Sequence, residues 1–184
     1  SSTSKGIKPP PIIARYDFPD WNILITIPNC KHISGNEEVK LFQTLCPMPL
    51  DDVRMISHIT LLKLLPSVVQ HDIVSFGEAV DLIQSVGWKK VEIEKQDEIV
   101  RQTMDFLRQN NGYGVGLSSW GPAIFCFGEN LTELQNITDN FLAKNNPGGY
   151  CFRTRANNFG ATVIDHDGIY RSRPETANEQ RSFR

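Results

Sequence analysis

Apolar and polar residues follow one another in blocks that predict a series of strands and helices. Residues 21–27 are rich in β-branched side chains and end at Pro28, which predicts a buried central strand. A Ser-x-x-Glu capping box at Ser34 predicts a short helix. The run over 52–71 is apolar around most of a helix, so we expect it to be largely buried, with a kink at Pro66.

The second half of the chain predicts further helices that alternate with short strands. Asp72 has the position of a helix N-cap, and Gly87 has that of a C-cap glycine at the end of the same helix. The other expected elements are a helix over 95–109, a strand over 123–127, a helix opened by Asn130, and strands over 150–155 and 161–165.

The order of these elements predicts an α+β fold. A strand, several helices, a hairpin over residues 112–127, one more helix and a strand fit a ferredoxin-like two-layer sandwich, with helices on one face of an antiparallel sheet. We expect this domain to span residues 12–170. Residues 1–11 would be a linker, and the polar residues 171–184 a disordered tail.

Composition narrows the class of protein. The chain has 184 residues, 40% hydrophobic and 22% charged, which is typical of a globular protein. A net charge of -2 argues against nucleic acid as the main partner. No apolar run approaches the roughly 20 residues of a membrane span, and the polar start carries no apolar leader. We therefore expect a cytoplasmic location.

Cysteine and histidine spacing predicts no metal site. The four cysteines are far apart and form no C-x-x-C pair, which makes buried thiols in a reducing compartment the better interpretation. The histidines have no i, i+4 partners that would place two on one helix face.

Residues 112–122 concentrate glycine and hydroxyl side chains, and two interpretations stay open. Gly114, Gly116, Ser118 and Ser119 could direct N–H and hydroxyl groups at a phosphate. The same residue types also form ordinary hairpin turns.

The string over 114–122, Gly-Val-Gly-Leu-Ser-Ser-Trp-Gly-Pro, closely resembles a signature of the archaeal β-ribofuranosylaminobenzene 5′-phosphate synthases, a branch of the GHMP kinase superfamily. Shorter matching pieces occur in the family's order over 9–19, 21–38, 65–77 and 154–161, so the resemblance covers about residues 8–165.

Two departures from the family pattern matter. Leu117 stands where family members usually carry Gln, so an amide contact from that position is lost. Nothing before Pro9 resembles the other glycine-rich motif, which family members carry in a long N-terminal half. The chain therefore resembles the C-terminal domain of a longer enzyme.

The resemblance implies a transferase of methanopterin biosynthesis. Such enzymes join the ribose phosphate of phosphoribosyl pyrophosphate to 4-aminobenzoate or 4-hydroxybenzoate, with release of CO₂ and pyrophosphate. It also implies Mg²⁺, whose ligands we cannot assign in this sequence. We expect the N-terminal domain as a partner, and the apolar surface left without it would favour a homodimer. On its own the chain should be inactive.

Candidate substrate contacts follow from residue type, although no catalytic residue stands out. Trp120 would stack on a ring or pack in the interior. Arg155 alternates with Arg153, which would place both on one strand face as anion partners or as solvated cations. The remaining candidates are Asn157 and Asn158, as substrate-positioning or turn residues, and Arg15, as a ligand contact or a partner of Asp17.

Two other functions remain open. One is an ATP-dependent small-molecule kinase of the same superfamily, which would share the fold and use the loop for a phosphoacceptor. The other is a non-enzymatic ferredoxin-like module that binds a ligand or partner.

Overall fold

The computed structural model describes residues 11–31, 35–160, 162–165 and 168–171. The predicted linker before residue 11, Ser34 of the capping box and the predicted tail beyond residue 171 lie outside them. The elements are β1 (Asn22–Ile27), α1 (Asn36–Leu45), α2 (Leu50–Ile59), a π-helical turn (Thr60–Leu64), α3 (Leu65–Gln70), α4 (Ile73–Gln84), α5 (Gly87–Glu94), α6 (Glu98–Gln109), β2 (Tyr113–Leu117), β3 (Ile124–Gly128), α7 (Thr132–Asn145), β4 (Tyr150–Thr154), β5 (Thr162–Asp165) and β6 (Gly168–Arg171).

Four strands form one antiparallel sheet in the order β2-β3-β1-β4. The predicted first strand lies between β3 and β4, so its central position is confirmed. This strand order and the intervening helices form the predicted ferredoxin-like sandwich. Strands β5 and β6 pair only with each other among the described residues, and β6 was not predicted.

One face of the sheet carries an aliphatic core beneath α6 and α7. Alternate residues of β1 and β3, among them Leu24, Ile124 and Cys126, pack in one cluster with residues of both helices. Leu24, Val100, Leu107 and Leu142 have no exposed surface. Burying such side chains contributes roughly 1.5–3 kcal/mol each.

The opposite face carries an aromatic cluster beside α4. Phe125 and Phe127 alternate with the aliphatic residues of β3 and turn to this side. Phe127 packs edge-on against Phe76 of α4 with ring centroids 5.0 Å apart, and Trp21 lies 5.1 Å from Phe76. The sheet therefore has an aliphatic and an aromatic side.

Helix α4 also covers the outer edge of β2. Gly77 lies so close to the strand that a Cβ on it would be 2.9 Å from the Gly114 nitrogen. At the far end of the helix, the Leu117 N–H donates to Gln84 Oε1 at 3.0 Å. Arg108 of α6 donates to the β2 backbone as well, at the Val115 carbonyl. Side chains thus satisfy an edge that would otherwise be open to another strand.

The predicted burial of the 52–71 run is wrong. The helix is continuous, and a π-helical turn over Thr60–Leu64 replaces the α-helical hydrogen bonding just before Pro66, near the predicted kink. However, Leu61 is 63% exposed and Leu62 68% exposed. Only one side of the run contacts α4, through residues such as Leu64 and Val68, so the remaining apolar side chains face solvent.

The predicted end of the third helix at Gly87 is also wrong. Asp72 caps α4 as predicted, through bonds from the Val74 and Ser75 N–H groups, but the helix ends at Gln84. Gly87 has a φ of +54° and begins α5, which was not predicted. Four of the eight residues of α5 are charged, which obscured its periodicity.

Candidate functional site

The loop 118–122 joins β2 to β3 at one end of the sheet. The Ser118 N–H donates to the Ala123 carbonyl at 2.8 Å, and the Gly121 N–H donates to the Ser118 carbonyl at 2.9 Å. Ser119 has a φ of +51°, a left-handed conformation that costs a residue with a Cβ roughly 1 kcal/mol. The predicted hairpin is therefore present, and its tip is conformationally strained.

The tip of this loop presents two hydroxyl groups to solvent. Ser118 and Ser119 are both exposed. Among the described residues, neither hydroxyl takes part in a side-chain hydrogen bond within the chain. Two adjacent exposed hydroxyls are chemically able to donate to an anion, and the phosphate role of this pair stays a prediction.

Side chains on α5 and just after it bind backbone carbonyls of the loop region. The Lys89 ammonium donates to the Ser119 carbonyl at 3.0 Å and to the Leu117 carbonyl at 3.3 Å, and it forms an ion pair with Glu92. The buried Gln96 side chain, just beyond α5, donates to the Trp120 carbonyl at 3.0 Å. Sequence reasoning missed these contacts because their partners lie 24 to 30 residues apart.

Trp120 packs in the interior rather than presenting its ring to solvent. The side chain is 6% exposed. Its ring centroid lies 5.9 Å from that of Trp88 on α5 and 5.9 Å from that of Phe42 on α1. Phe42 is 40% exposed, so this aromatic cluster is open at one side next to the loop.

The two predicted glycines Gly114 and Gly116 lie inside β2 and are buried. Gly114 has a φ of +57° where the strand register shifts, and a Cβ on it would lie 3.1 Å from Gly77 Cα. A Cβ on Gly116 would lie 2.3 Å from Phe125 Cζ. Both glycines permit close packing, and their phosphate role stays a prediction.

The two arginines predicted to share a strand face occupy different surroundings. Arg153 lies in β4 and donates to the Thr132 hydroxyl at 2.6 Å. Arg155 follows the end of β4, and its Nη1 donates to both carboxylate oxygens of Asp20, at 2.7 and 2.9 Å. Because β4 ends at Thr154, Arg155 lies one residue beyond the strand that carries Arg153, and the common strand face stays a prediction.

The predicted asparagines and Arg15 bind the chain's own backbone. The Asn158 side chain accepts from the Phe18 N–H and donates to the Phe18 carbonyl, both at 2.9 Å. Arg15 donates to the Asn158 carbonyl at 2.8 Å and pairs with Asp17, as one of its two interpretations expected. Asn157 accepts from the Phe159 N–H in a local turn.

The predicted site residues outside β2 lie in two groups at opposite ends of the sheet. Leu117 precedes the loop and pairs with Ile124, which pairs with Thr26 near the end of β1. Thr154 precedes Arg155 and pairs with Ile23 near the start of β1. The groups are separated by the length of β1, on the order of 15 Å. The structure does not bring Arg15, Arg155, Asn157 and Asn158 to the loop.

The described residues contain cavities but no cluster of metal-ligating side chains. They contain no group of three or more His, Cys, Asp or Glu side chains that could hold a metal ion. Because Mg²⁺ often binds through only one or two carboxylates together with substrate phosphates, the Mg²⁺ implied by the resemblance stays an expectation. Cavities of about 580 and 510 Å³ lie beside α5 and between α4 and α7. No predicted site residue lines either one.

The two buried cysteines, Cys126 and Cys151, are unsuited to nucleophilic chemistry. All four are free thiols. Cys126 and Cys151 are buried as predicted, and burial raises the pKa of Cys126 to about 12. Burial, followed by the hydrogen bond to Asp139, also raises the pKa of Cys151. Neither thiol would be ionised near neutral pH.

Comparison with known proteins agrees with this fold and loop. Residues 64–147 match the family described as GHMP kinases C terminal. The chain also resembles the solved homoserine kinase of Cytophaga hutchinsonii, with a TM-score of 0.60 and 14% identity over 77% of this chain and 44% of that one. These matches define a C-terminal domain of the GHMP kinase superfamily.

Two curated relatives identify the branch of that superfamily. Both are named β-ribofuranosylphenol 5′-phosphate synthase. The protein from Methanocaldococcus jannaschii is 41% identical over 89% of this chain, and that from Methanothermobacter thermautotrophicus is 45% identical over 67%. The chain belongs to this synthase family, as its loop signature predicted. It spans 48% and 38% of the length of these two relatives.

No helix among the described residues is long and apolar enough to cross a membrane.

Proposed function

We propose that this chain is the C-terminal domain of an enzyme that joins the ribose phosphate of phosphoribosyl pyrophosphate to a 4-substituted benzoate, with loss of CO₂ and pyrophosphate. The observation that carries the proposal is the 41% identity over 163 residues to a named synthase. That similarity extends well beyond the loop, across most of the described domain.

The acceptor we favour is 4-hydroxybenzoate. Both relatives carry the word phenol in their names, and decarboxylation of 4-hydroxybenzoate at the carbon that receives the ribose leaves a phenol. The amino analogue, 4-aminobenzoate, would leave an aniline and is the second acceptor to test.

The proposed reaction balances without an added oxidant or reductant. The ring carbon that bears the carboxylate donates its π electrons to C1 of the ribose, and the C1–O bond breaks with its electron pair leaving on pyrophosphate. The ring carbon–carboxylate bond then breaks and its electrons restore the aromatic ring. CO₂ is the second product.

This domain would supply part of an anion-binding site. Ser118 and Ser119 supply two exposed hydroxyl donors at the tip of a loop that α5 holds in place. The nearby Lys89 charge is already paired with Glu92, so it does little to balance a phosphate. We infer that cationic groups and any Mg²⁺ ligands come from residues of the longer enzyme outside this domain.

The proposal includes a homodimer in the cytoplasm. The free state of all four cysteines supports a reducing compartment. Exposed apolar residues such as Leu61 and Leu62 support association. Native mass measurement of the 184-residue chain tests the dimer, and a monomer at micromolar concentration would contradict it.

The activity is tested with the full-length gene product. Incubation with phosphoribosyl pyrophosphate and carboxyl-labelled 4-hydroxybenzoate should release labelled CO₂ and an equal amount of pyrophosphate, whereas the 184-residue chain alone should release none. No release from a folded full-length enzyme with either benzoate would contradict the proposal. ATP-dependent phosphate transfer instead would favour the kinase alternative, and ligand binding without turnover the non-enzymatic one.

The role of the loop is tested by removing its hydroxyls. The full-length Ser118→Ala/Ser119→Ala variant should raise the KM for phosphoribosyl pyrophosphate about a hundred-fold or more, since each of the two lost bonds to a charged ligand costs about 1.5–3 kcal/mol. The matched control is Ser57→Ala, whose hydroxyl binds its own helix backbone on the surface of α2. Equal kinetics for the two variants would remove the loop from the site.

A further inference from the structure

We propose that Lys89 is a positioning residue, which holds the loop 118–122 in its strained conformation so that the two hydroxyls face outward. This inference rests on the proposed function for its catalytic consequence. Its structural part stands on the contacts of α5 alone.

The Lys89 ammonium contacts the backbone on both sides of Ser118. It donates to the carbonyl of Leu117 at 3.3 Å and to that of Ser119 at 3.0 Å. Because both carbonyls turn toward one cation, the chain between them has little freedom to rotate. This arrangement offsets the left-handed conformation of Ser119, which has a φ of +51°.

The partner of Lys89 lies in the interior. The Glu92 side chain is only 5% exposed, and that of Lys89 is 26% exposed. The next pair along the same helix, Lys90 and Glu94, differs in this respect, since both side chains are about 60% exposed and lie 4.0 Å apart. Helix α5 thus carries one partly buried ion pair that contacts the loop and one solvated pair that does not.

The neighbouring contacts act in the same direction. Gln96 donates to the Trp120 carbonyl at 3.0 Å and to the Glu92 carbonyl at 3.2 Å. The Trp120 ring packs on Trp88, the residue before Lys89. Three positions, 117, 119 and 120, are therefore bound to one short stretch of chain that comprises α5 and the residues just after it.

The first test measures the loop itself, in the 184-residue chain and in the full-length enzyme. Amide hydrogen exchange over residues 113–122 should be about ten-fold faster or more in Lys89→Met than in the wild type. Lys90→Met is the matched control and should not change it. Because Lys89→Met leaves Glu92 buried without a partner, the variant Lys89→Met/Glu92→Leu removes both charges and keeps the segment apolar.

The second test measures the catalytic consequence in the full-length enzyme. Lys89→Met/Glu92→Leu should raise the KM for phosphoribosyl pyrophosphate about ten-fold while the KM for the benzoate stays within two-fold, because the loop faces the phosphate in the proposed site. Lys89→Arg, which keeps the charge and donors, should recover part of the loss. A general structural defect would change both KM values or the amount of active enzyme instead.

The outcomes separate this inference from the proposed function. Unchanged exchange over 113–122 in the double variant would overturn the positioning role, whatever the enzyme does. Faster exchange without any effect on the KM for phosphoribosyl pyrophosphate would overturn its catalytic consequence. A wild-type enzyme without synthase activity would refute the proposed function, and the exchange measurement would still decide whether Lys89 holds the loop.

Discussion

The two ends of the sheet use polar side chains in different ways. At the end that carries the loop, Lys89 and Gln96 bind backbone carbonyls, and the Ser118 and Ser119 hydroxyls are left facing solvent. At the opposite end, the Arg155 and Asn158 side chains are themselves occupied, by Asp20 and by the backbone of Phe18. Residue types that bind ligands elsewhere can therefore serve only to join two chain segments. The two serine hydroxyls at the loop end have no side-chain hydrogen bond among the described residues, whereas Arg155 and Asn158 at the opposite end each form such bonds.

The largest expected effect is on the packing of α4 against β2, because that strand runs from one end of the sheet to the other. In Gly77→Ala the new Cβ would lie 2.9 Å from the Gly114 nitrogen and from Tyr113 Cβ, and rigid backbone cannot move aside cheaply. We expect a loss of about 3 kcal/mol in the free energy of unfolding. Urea denaturation measures it. Val74→Ala, at an exposed position of the same helix, is the control and should lose under 1 kcal/mol.

The next effect isolates the loop end. Gln84→Met keeps the side-chain volume but leaves the buried Leu117 N–H without its acceptor. The free energy of unfolding should fall by about 2 kcal/mol. The control is Gln102→Met, which removes an exposed bond to Glu98. If both glutamine variants are equally stable, covering the β2 edge contributes nothing to the fold.

A smaller effect isolates the opposite end. Asn158→Ala removes two bonds to the Phe18 backbone across 140 residues of sequence and should cost about 1.5 kcal/mol. Asn157→Ala removes bonds within a local turn and should cost about 0.5 kcal/mol. Thermal denaturation compares the two. A larger loss from the Asn157 variant would mean that the local turn, and not the link to Phe18, holds this end.

The smallest effect appears on acidification. Hydrogen bonding with Ser75, through its side chain and then its backbone N–H, holds the pKa of Asp72 below its ordinary value of 3.8. Stability from this cap is therefore present above that value and is lost as the pH falls through the lower folded-state pKa. Asn keeps the cap without titrating, so the urea midpoint of Asp72→Asn should fall less than that of the wild type between pH 5 and pH 2. Asp51→Asn, at an exposed position of α2, is the control. The prediction would be contradicted if the wild-type midpoint were no more sensitive to acid than the midpoint of Asp72→Asn.

Local patterns were sufficient for most of the fold. The strand over 21–27, the cap at Asp72 and the hairpin over 112–127 depend on residues close together in sequence, and all three are confirmed. Burial of the 52–71 run could not be predicted from its own pattern, because exposure depends on how many neighbours cover the helix. Leu61 and Leu62 are 63% and 68% exposed, and no described residue buries them.

The candidate site was predicted less completely than the fold. The exposed pair Ser118 and Ser119 was found through residue type and family resemblance. The contacts of Lys89 and Gln96 were not found, because a lysine that binds two carbonyls has the same sequence pattern as a solvated one. Arg155 was expected to bind an anion or to be solvated. It pairs with Asp20, 135 residues away, and no local sequence pattern indicates such a partner.

Because α4 covers β2, the two outer edges of the sheet differ in whether another strand can pair with them. One outer strand has side-chain partners for its backbone at Val115 and Leu117, while β4 at the other margin pairs with β1 alone among the described strands. Among the described strands, β4 is therefore the one whose outer edge is open to main-chain pairing with an extended segment. Any association of that kind would lengthen the sheet away from the loop-bearing hairpin and leave the hairpin uncovered.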